Sequence, residues 1–575
     1  MNMLQGAKYR WRVPSEDLCQ RAQALFGAYQ LSMPVLQVLV NRGYTTPEQL
    51  EEFLFTPARS CAFSAKLLKG AEQAVARVMQ ALKNQEKILI AGDYDVDGMT
   101  ATSLLLACLG PLDARVNFFL PHRVRDGYGL SEKTVQRAAA NGYTLLITVD
   151  NGITAFDAVM AAQKLGIDVI VTDHHKPHGE MPIAHAIVNP MQLGCEYPCK
   201  LLAGVGVAFK LASLLYETLG KELPEKVYEL LLLGTVADVV PLLSENRYMV
   251  RYGLQQVQAH ESMAIKVLKE NAKLSRAITS TDIGFFLAPQ LNALGRLDDP
   301  RDGVKFLIGD DDHEIQRIGL VLHELNQARK SVEKHVVDDV VADIKQGVID
   351  LKRDMAIIAS RPSWPPGVIG LAASRLVSAY GRPAFLFHES RDGLVKGSCR
   401  SIAGLSLFDA LESMQELLVN FGGHAAAAGL SLKRENFDAF KQRMNDYIAA
   451  TVAPEDLQQT LVCDALLTLP DAKKKLMSDL AYLEPFGNGN AAPVFLVRNV
   501  SLIEQPTLLK EVHVKCMIFA DGIIKPVIFF NRPDLYDVLK NVGDASVNVA
   551  VQVVENFWND TARIEFHGLD VAVGA

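Results

Sequence analysis

The stretch "KILIAGDYDVDGMTATSLLLACL" (Lys87–Leu109) sets Asp93, Asp95 and Asp97 at every second position and follows them with Gly98. That spacing opens an EF-hand calcium loop. Such a loop needs a bidentate acid at its twelfth position, here Leu104, and a helix in front of it. Leucine coordinates nothing, and the lead-in "KILIAG" is a short apolar run that reads as a buried strand. "MTATSLLLACL" reads as a helix. The carboxylates therefore stand where a strand ends and a helix begins.

The same alternation continues outward. Between about residues 80 and 240 the apolar runs "ARVNFFLP", "TLLITVD" and "DVIVTD" are separated by helix-like stretches such as "SEKTVQRAAANG" and "AFDAVMAAQKLG". Strand–helix alternation predicts an α/β fold with a doubly wound parallel sheet. Ligands of such sheets bind outside the carboxyl ends of the strands. There the chain places Asp93, Asp95 and Asp97, then Asp150 after "TLLITV", then Asp173, His174 and His175 after "DVIVT", and Asp238 after "YELLLLGTVA". Each acid alone reads equally well as a helix cap. Four such sites on one edge, one with two consecutive histidines, exceed what capping requires. Mixed carboxylate and imidazole donors suit Mn²⁺ or Mg²⁺ better than structural zinc. Two such ions form a clamp for phosphoryl transfer, which predicts hydrolysis of a phosphate ester or anhydride without a covalent intermediate.

The whole chain has 575 residues, which points to about three to four domains. A net charge of −8 gives no global basic signal, so nucleic-acid contact needs a local patch. Eight cysteines are sparse, and "CEYPC" (Cys195–Cys199) lacks a second pair at zinc-ribbon spacing; free thiols are expected. "MNMLQGAKYRWRV" is not a signal peptide, and Ala22–Asn41, although uncharged, is interrupted by Gly27 and Pro34. A cytoplasmic protein is expected.

The expected organisation is a mainly helical segment at 1–75 packed on the catalytic domain, the catalytic α/β domain at 76–311, a connecting helix at 312–346, a second α/β domain at 347–452, and a β-barrel of the oligonucleotide-binding (OB) kind at 453–575. In the helix, Arg329, Lys330 and Lys334 read either as a contact for nucleic acid or as a solvated face. Phe529, Phe530, Phe557 and Trp558 are stacking candidates by type, most of them expected in the core.

The motifs "GDYDVDG", "VDNG", "TDHH" and "TVADVVPL" resemble the series of the DHH phosphoesterase family. "LAGVGVAFKL", "LNALGR", "KGSCRS", "FGGHAAAAG" and "LEPFGNGNAAPVF" resemble, more narrowly, its bacterial single-stranded-DNA exonuclease branch, which carries a DHHA1-type second domain. The resemblance runs from about residue 50 to near the C-terminus, in order. It implies a 5′→3′ exonuclease that needs two Mn²⁺ or Mg²⁺ ions, releases 5′-mononucleotides and serves DNA repair and recombination. It implies Asp95, Asp97, Asp150, His174 and Asp238 as metal ligands, with Asp93 beside them, and His175 facing the scissile phosphate. It implies Asp93, His175 and Arg296 as catalytic residues, with Arg123 contacting phosphate and Arg296 the strand. Ser398, Arg400, Gly423 and His424 would receive phosphate, Ser398 and Arg400 the terminal 5′-phosphate. Arg296 also reads as a partner of Asp298 or Asp299, and His424 as a buried structural histidine. The implied partners are single-stranded-DNA-binding protein and a helicase; a monomer is expected. Relatives usually read Trp-His before "GVIG", whereas this chain has Pro365 there. The competing readings are a DHH-family phosphodiesterase or phosphatase for short oligonucleotides or small nucleotides, and a scaffold without metal. The C-terminal β unit argues against the first, and the complete acid set against the second.

Overall fold

The computed structural model describes residues 2–57, 62–123, 125–177, 179–558 and 561–574. The chain divides into two compact units. One comprises Thr56–Lys330 and Pro485–Ala491; the other comprises Met1–Phe55, Ser331–Glu484 and Ala492–Ala575.

The first unit is built on a five-stranded, all-parallel sheet. Its spatial order is Arg115–Phe119, Lys87–Ala91, Leu145–Val149, Asp168–Thr172, Ala186–Val188. The winding reverses between Lys87–Ala91 and Leu145–Val149, so the crevice opens at the ends of the two strands that lead into Asp93 and Asp150. Both faces are buried. Ile88, Ile90, Leu145, Ile147, Val149 and Ile170 join one apolar cluster, and Leu89, Ala91, Leu146, Val169 and Val171 join the other. That two-residue alternation within unbroken apolar runs is what a parallel sheet covered on both sides demands.

One expected strand end is different. "YELLLLGTVA" lies in the helix Lys226–Ala237, and Asp238 caps its C-terminus. The helix is buried nearly all round, with Leu230, Leu231, Leu232 and Leu233 at 2% exposure or less. A continuous apolar run in that setting carries no helical periodicity to read. The helix Asp312–Lys345 runs unbroken for 34 residues. It tolerates Gly319 because a Cβ there would meet Val267 Cγ1 at 2.2 Å. Arg329 is buried against Asn326 rather than solvated, while Lys330 and Lys334 are exposed.

In the second unit a five-stranded sheet is ordered Leu418–Gly423, Ala427–Lys433, Leu394–Arg400, Ala384–Glu389, Ile357–Arg361. Helix Pro366–Tyr380 covers one face and Phe437–Thr451 the other. The C-terminal strands close a ring, because Phe495–Leu502 pairs with both Val547–Trp558 and His513–Ala520. This is the barrel expected of an OB fold.

The first residues depart from expectation. Helices Leu18–Phe26, Met33–Asn41 and Pro47–Phe55 are present, but strands Asn2–Gln5 and Arg10–Val13 precede them. Met1–Phe55 also belongs to the same unit as the C-terminal strands. The cause is long-range. The fully buried Asp570 carboxylate accepts from the Trp11 indole at 2.9 Å, from the Tyr9 amide at 3.0 Å and from the Lys8 amide. No local pattern in "MNMLQGAKYRWRV" announces a partner near the other end of the sequence.

Candidate metal centre

The loop after Lys87–Ala91 packs three carboxylates into one turn. Asp95 is the N-cap of helix Val96–Leu109, and its carboxylate accepts the Gly98 amide at 3.1 Å. Capping therefore explains Asp95, but not its neighbours. Asp97 turns to a different helix. Its two oxygens accept the Gly204 and Val205 amides at 2.6 and 2.8 Å, at the start of helix Gly204–Leu219. Only glycine fits at 204, since a Cβ would stand 2.6 Å from Asp150 Cβ. Asp150 follows its strand in the left-handed region, φ 60°, a conformation aspartate tolerates better than most residues.

The imidazoles complete the cluster. His174 Nε2 lies 3.1 Å from Asp150 Oδ1 and 3.9 Å from Asp97 Oδ2, and its Nδ1 lies 3.6 Å from Asp238 Oδ2. His175 Nδ1 is held at 2.7 Å by Asp173 Oδ1, whose carboxylate also accepts the Ile153, His174 and His175 amides. In three sets, one ligand atom per residue lies within 4.8 Å of the others: Asp150, His174 and His175; Asp97, His174 and Asp238; and Asp93, Asp95 and Asp150.

The electrostatics are those of anions crowded out of water. Burial first, then neighbouring carboxylates, pushes Asp97 up to about 7 and Asp93, Asp150 and Asp238 well above the usual carboxylate range. Burial and the adjacent His175 bring His174 down to about 4, leaving a neutral imidazole. For His175 burial opposes the charge, but the bond to Asp173 prevails and raises it. Four buried atoms, Asp93 Oδ1, Asp150 Oδ1, His174 Nε2 and Asp238 Oδ2, have no hydrogen-bond partner among the described residues. Buried polar atoms are nearly always satisfied. Carboxylate oxygens and neutral imidazole nitrogens converging without partners fit divalent cations, with oxygen-rich donors favouring Mn²⁺ or Mg²⁺.

The surrounding residues fix this loop. Arg123 stacks 4.1 Å from the Tyr94 ring and donates to the Gly295 carbonyl at 3.3 Å. Gly295 lies so close that a Cβ would meet the Tyr94 carbonyl at 2.1 Å, and Asn292 accepts the Val96 amide at 3.3 Å. "LNALGR" is thus the clasp of the acid loop. Arg296 is half-buried at the end of helix Ala288–Leu297. Asp299 gives its carboxylate to Arg301 at 2.9 and 3.0 Å. Asp173, Gly204, Val205, Asn292 and Gly295 were not assigned roles from sequence. Glycine at a helix start and "LNALG" were visible, but what they would touch was not.

In the other unit, Ser398 and Arg400 share one face of strand Leu394–Arg400. Arg400 donates to Ser398 Oγ at 3.3 Å and to the Cys399 carbonyl at 2.8 Å. Burial lowers its guanidinium from the ordinary value, and no carboxylate among the described residues pairs with it. Gly423, φ 136°, and His424 form the tip between Leu418–Gly423 and Ala427–Lys433. His424 is exposed, which removes the buried structural reading. Pro365 precedes helix Pro366–Tyr380 as its N-cap. Phe529 is buried, Phe530 is 46% exposed between His513 and His567, and the side chains of Phe557 and Trp558 lie outside the described residues.

A parallel sheet with acids and paired histidines at its switch point defines a DHH-type domain, and family models agree. The DHH family N-terminal domain matches residues 87–235, the DHHA1 domain 354–450, and the RecJ OB domain 463–570. The single-stranded-DNA-specific exonuclease RecJ of Bacillus subtilis is 35% identical over 574 residues, covering 99% of this chain and 71% of that protein. The RecJ of Escherichia coli is 37% identical over 472 residues, 78% of this chain and 81% of that protein. The crystal structure of RecJ in complex with Mn²⁺ from Thermus thermophilus superposes with a TM-score of 0.81 at 30% identity, covering 98% of this chain and 79% of that one. Its Mg²⁺ complex gives 0.75. The chain belongs to the RecJ family.

Proposed function

We propose that the chain is a single-stranded-DNA-specific exonuclease that hydrolyses phosphodiester bonds from the 5′ end and releases 5′-mononucleotides, in the cytoplasm and in the service of DNA repair and recombination. The observation that carries this reading is the set of buried ligand atoms without partners at the switch point of the sheet. Asp95, Asp97, Asp150, His174 and Asp238 would hold two divalent ions, Mn²⁺ or Mg²⁺, with Asp150 common to two of the three ligand sets. Bound there, the ions supply Lewis acidity toward a phosphodiester and its incoming water.

The chain's own groups do the rest. The Gly204 and Val205 amides fix Asp97 in one orientation. Asp173 fixes His175 through Nδ1, so Nε2 is the nitrogen left to hold or pass a proton at a phosphate oxygen. Arg123, braced on Tyr94, offers a planar fork for phosphate. In the other unit, the partly desolvated Arg400 with Ser398, and the glycine-rich tip bearing His424, form a receptor suited to a terminal 5′-phosphate. The resemblance adds single-stranded-DNA-binding protein and a helicase as partners of a monomer. No helix among the described residues is long and apolar enough to cross a membrane.

The test is hydrolysis of 5′-phosphorylated, end-labelled single-stranded DNA with Mn²⁺, wild type against Asp150→Ala. Mononucleotides from the 5′ end, lost in the variant, support the reading. A folded wild type that leaves such DNA intact but cleaves dinucleotides would replace it with the small-substrate reading.

A further inference from the structure

The "PFGNGNA" segment lies within the stretch matched by the RecJ OB model, yet Pro485–Ala491 belongs to the parallel-sheet unit. It forms a closed turn. Gly487 and Asn490 exchange backbone hydrogen bonds at 2.9 and 3.1 Å, and the Asn490 side chain donates to the Pro485 carbonyl at 2.9 Å. The turn sits on the loop that leaves Asp238. The Leu242 amide donates to the Asn488 carbonyl at 2.8 Å, and the Asn488 side-chain Nδ2 donates to the Val239 carbonyl at 2.7 Å. Gly487 approaches Leu242 so closely that a Cβ would lie 2.6 Å from Leu242 Cδ1, and Gly489, at φ 72°, faces Pro241. Ser280 anchors the far side, donating to the Phe486 carbonyl at 2.7 Å.

What the turn holds is strained. Val239, the residue after Asp238, stands at φ 61°. A β-branched residue is a genuine outlier in that region. Such a conformation persists only where the surroundings over-determine it. The Val239 side chain is 63% exposed, so packing of that side chain does not impose it. Two of the remaining contacts lie outside the turn, from the Val239 amide to the Val236 carbonyl at 3.3 Å and from Asn246 Nδ2 to the Pro241 carbonyl at 3.1 Å; those to the Val239 carbonyl, the Leu242 amide and the Pro241 ring are made by the turn.

We propose that Pro485–Ala491 is a positioning clamp for Asp238: Asn488 holds Val239 in the left-handed conformation, which aims the Asp238 carboxylate at His174. The inference rests on the reading of Asp238 as a metal ligand. Groups that orient a ligand typically account for about 10–100-fold in metal affinity.

The test is Mn²⁺ binding, read by calorimetry and by the electron paramagnetic resonance of free Mn²⁺, on the full chain. Asn488 is exposed, so Asn488→Ala leaves no buried gap. The expected result is a loss of about tenfold in affinity at one of the two ions. Adding Val239→Gly is expected to restore it, because glycine adopts the left-handed conformation unaided. Wild-type affinity in Asn488→Ala would overturn the clamp, as would a loss that Val239→Gly does not relieve. A wild-type chain that takes up no Mn²⁺ would instead overturn the metal reading on which the clamp depends.

Discussion

Single residues divide sharply here into those that announce their chemistry and those that act through a partner far along the chain. Asp93, Asp97, Asp150 and His174 stand out in the sequence because acids and imidazoles at strand ends have few bland explanations in combination, whereas Asp238 stands out only as an acid after an apolar run and lies at a helix end. Asp173 is not legible in this way, because its task is to hold His175, and that needs the 2.7 Å contact to be seen. Replacing it tests the difference. Asp173→Asn keeps the shape but removes the charge that raises the His175 pKa. We expect kcat to fall about 10–100-fold, as for other groups that orient a working histidine. The limb of the kcat–pH profile on which activity falls as His175 loses its proton should also shift to lower pH, since the His175 pKa falls without its partner. Arg400 gives a second residue-scale prediction. Arg400→Lys loses a planar fork and should forfeit about 1.5–3 kcal/mol of phosphate binding, roughly tenfold to a hundredfold in KM. The loss should be seen on 5′-phosphorylated strands and nearly vanish on 5′-hydroxyl strands. Equal loss on both would remove Arg400 from the end-recognition site.

Among the elements, those with a strong local signature were read correctly, and those shaped by burial or distant bonds were not. Strands Lys87–Ala91, Leu145–Val149 and Asp168–Thr172 carry apolar runs followed by acids, and Asp312–Lys345 has helical spacing over its full length. Lys226–Ala237 hid its identity because burial on every side erases the amphipathic stripe. The glycines of "LAGVGVAFKL" are visible in the sequence, but the reason that helix Gly204–Leu219 starts on glycine is not. That reason makes a prediction: Gly204→Ala forces a methyl group against Asp150 Cβ at 2.6 Å. Overpacking of this kind costs about 1–3 kcal/mol. Urea unfolding should show that loss, and the stabilisation conferred by Mn²⁺ should shrink with it, because Asp97 and Asp150 both move. A variant that unfolds early but keeps full Mn²⁺ stabilisation would detach this helix from the metal centre.

For the whole molecule, the carboxylate cluster ties stability to pH. A buried acid whose pKa is raised on folding binds more protons folded than unfolded. Between the ordinary carboxylate value and the raised one, stability therefore falls as pH rises. For Asp97 the window runs from about 4 to about 7. The metal-free chain should lose Tm across that window, and Mn²⁺ should return it. The Mn²⁺-induced rise in Tm is thus expected to be larger at pH 7.5 than at pH 5. A rise independent of pH would mean that the ion does not compete with these protons.

The buried Asp570 carries a consequence of another kind, one of time. It bonds Trp11 across 559 positions of chain. During synthesis at about 5–20 residues per second, the N-terminal hairpin emerges roughly half a minute to two minutes before its partner exists. In that interval two short strands and a tryptophan face water with open edges, the kind of surface that pairs with the wrong neighbour. Trp11 and its two strands thus reach their place only after Asp570 has been made, and the nascent chain must be kept apart from its copies until then.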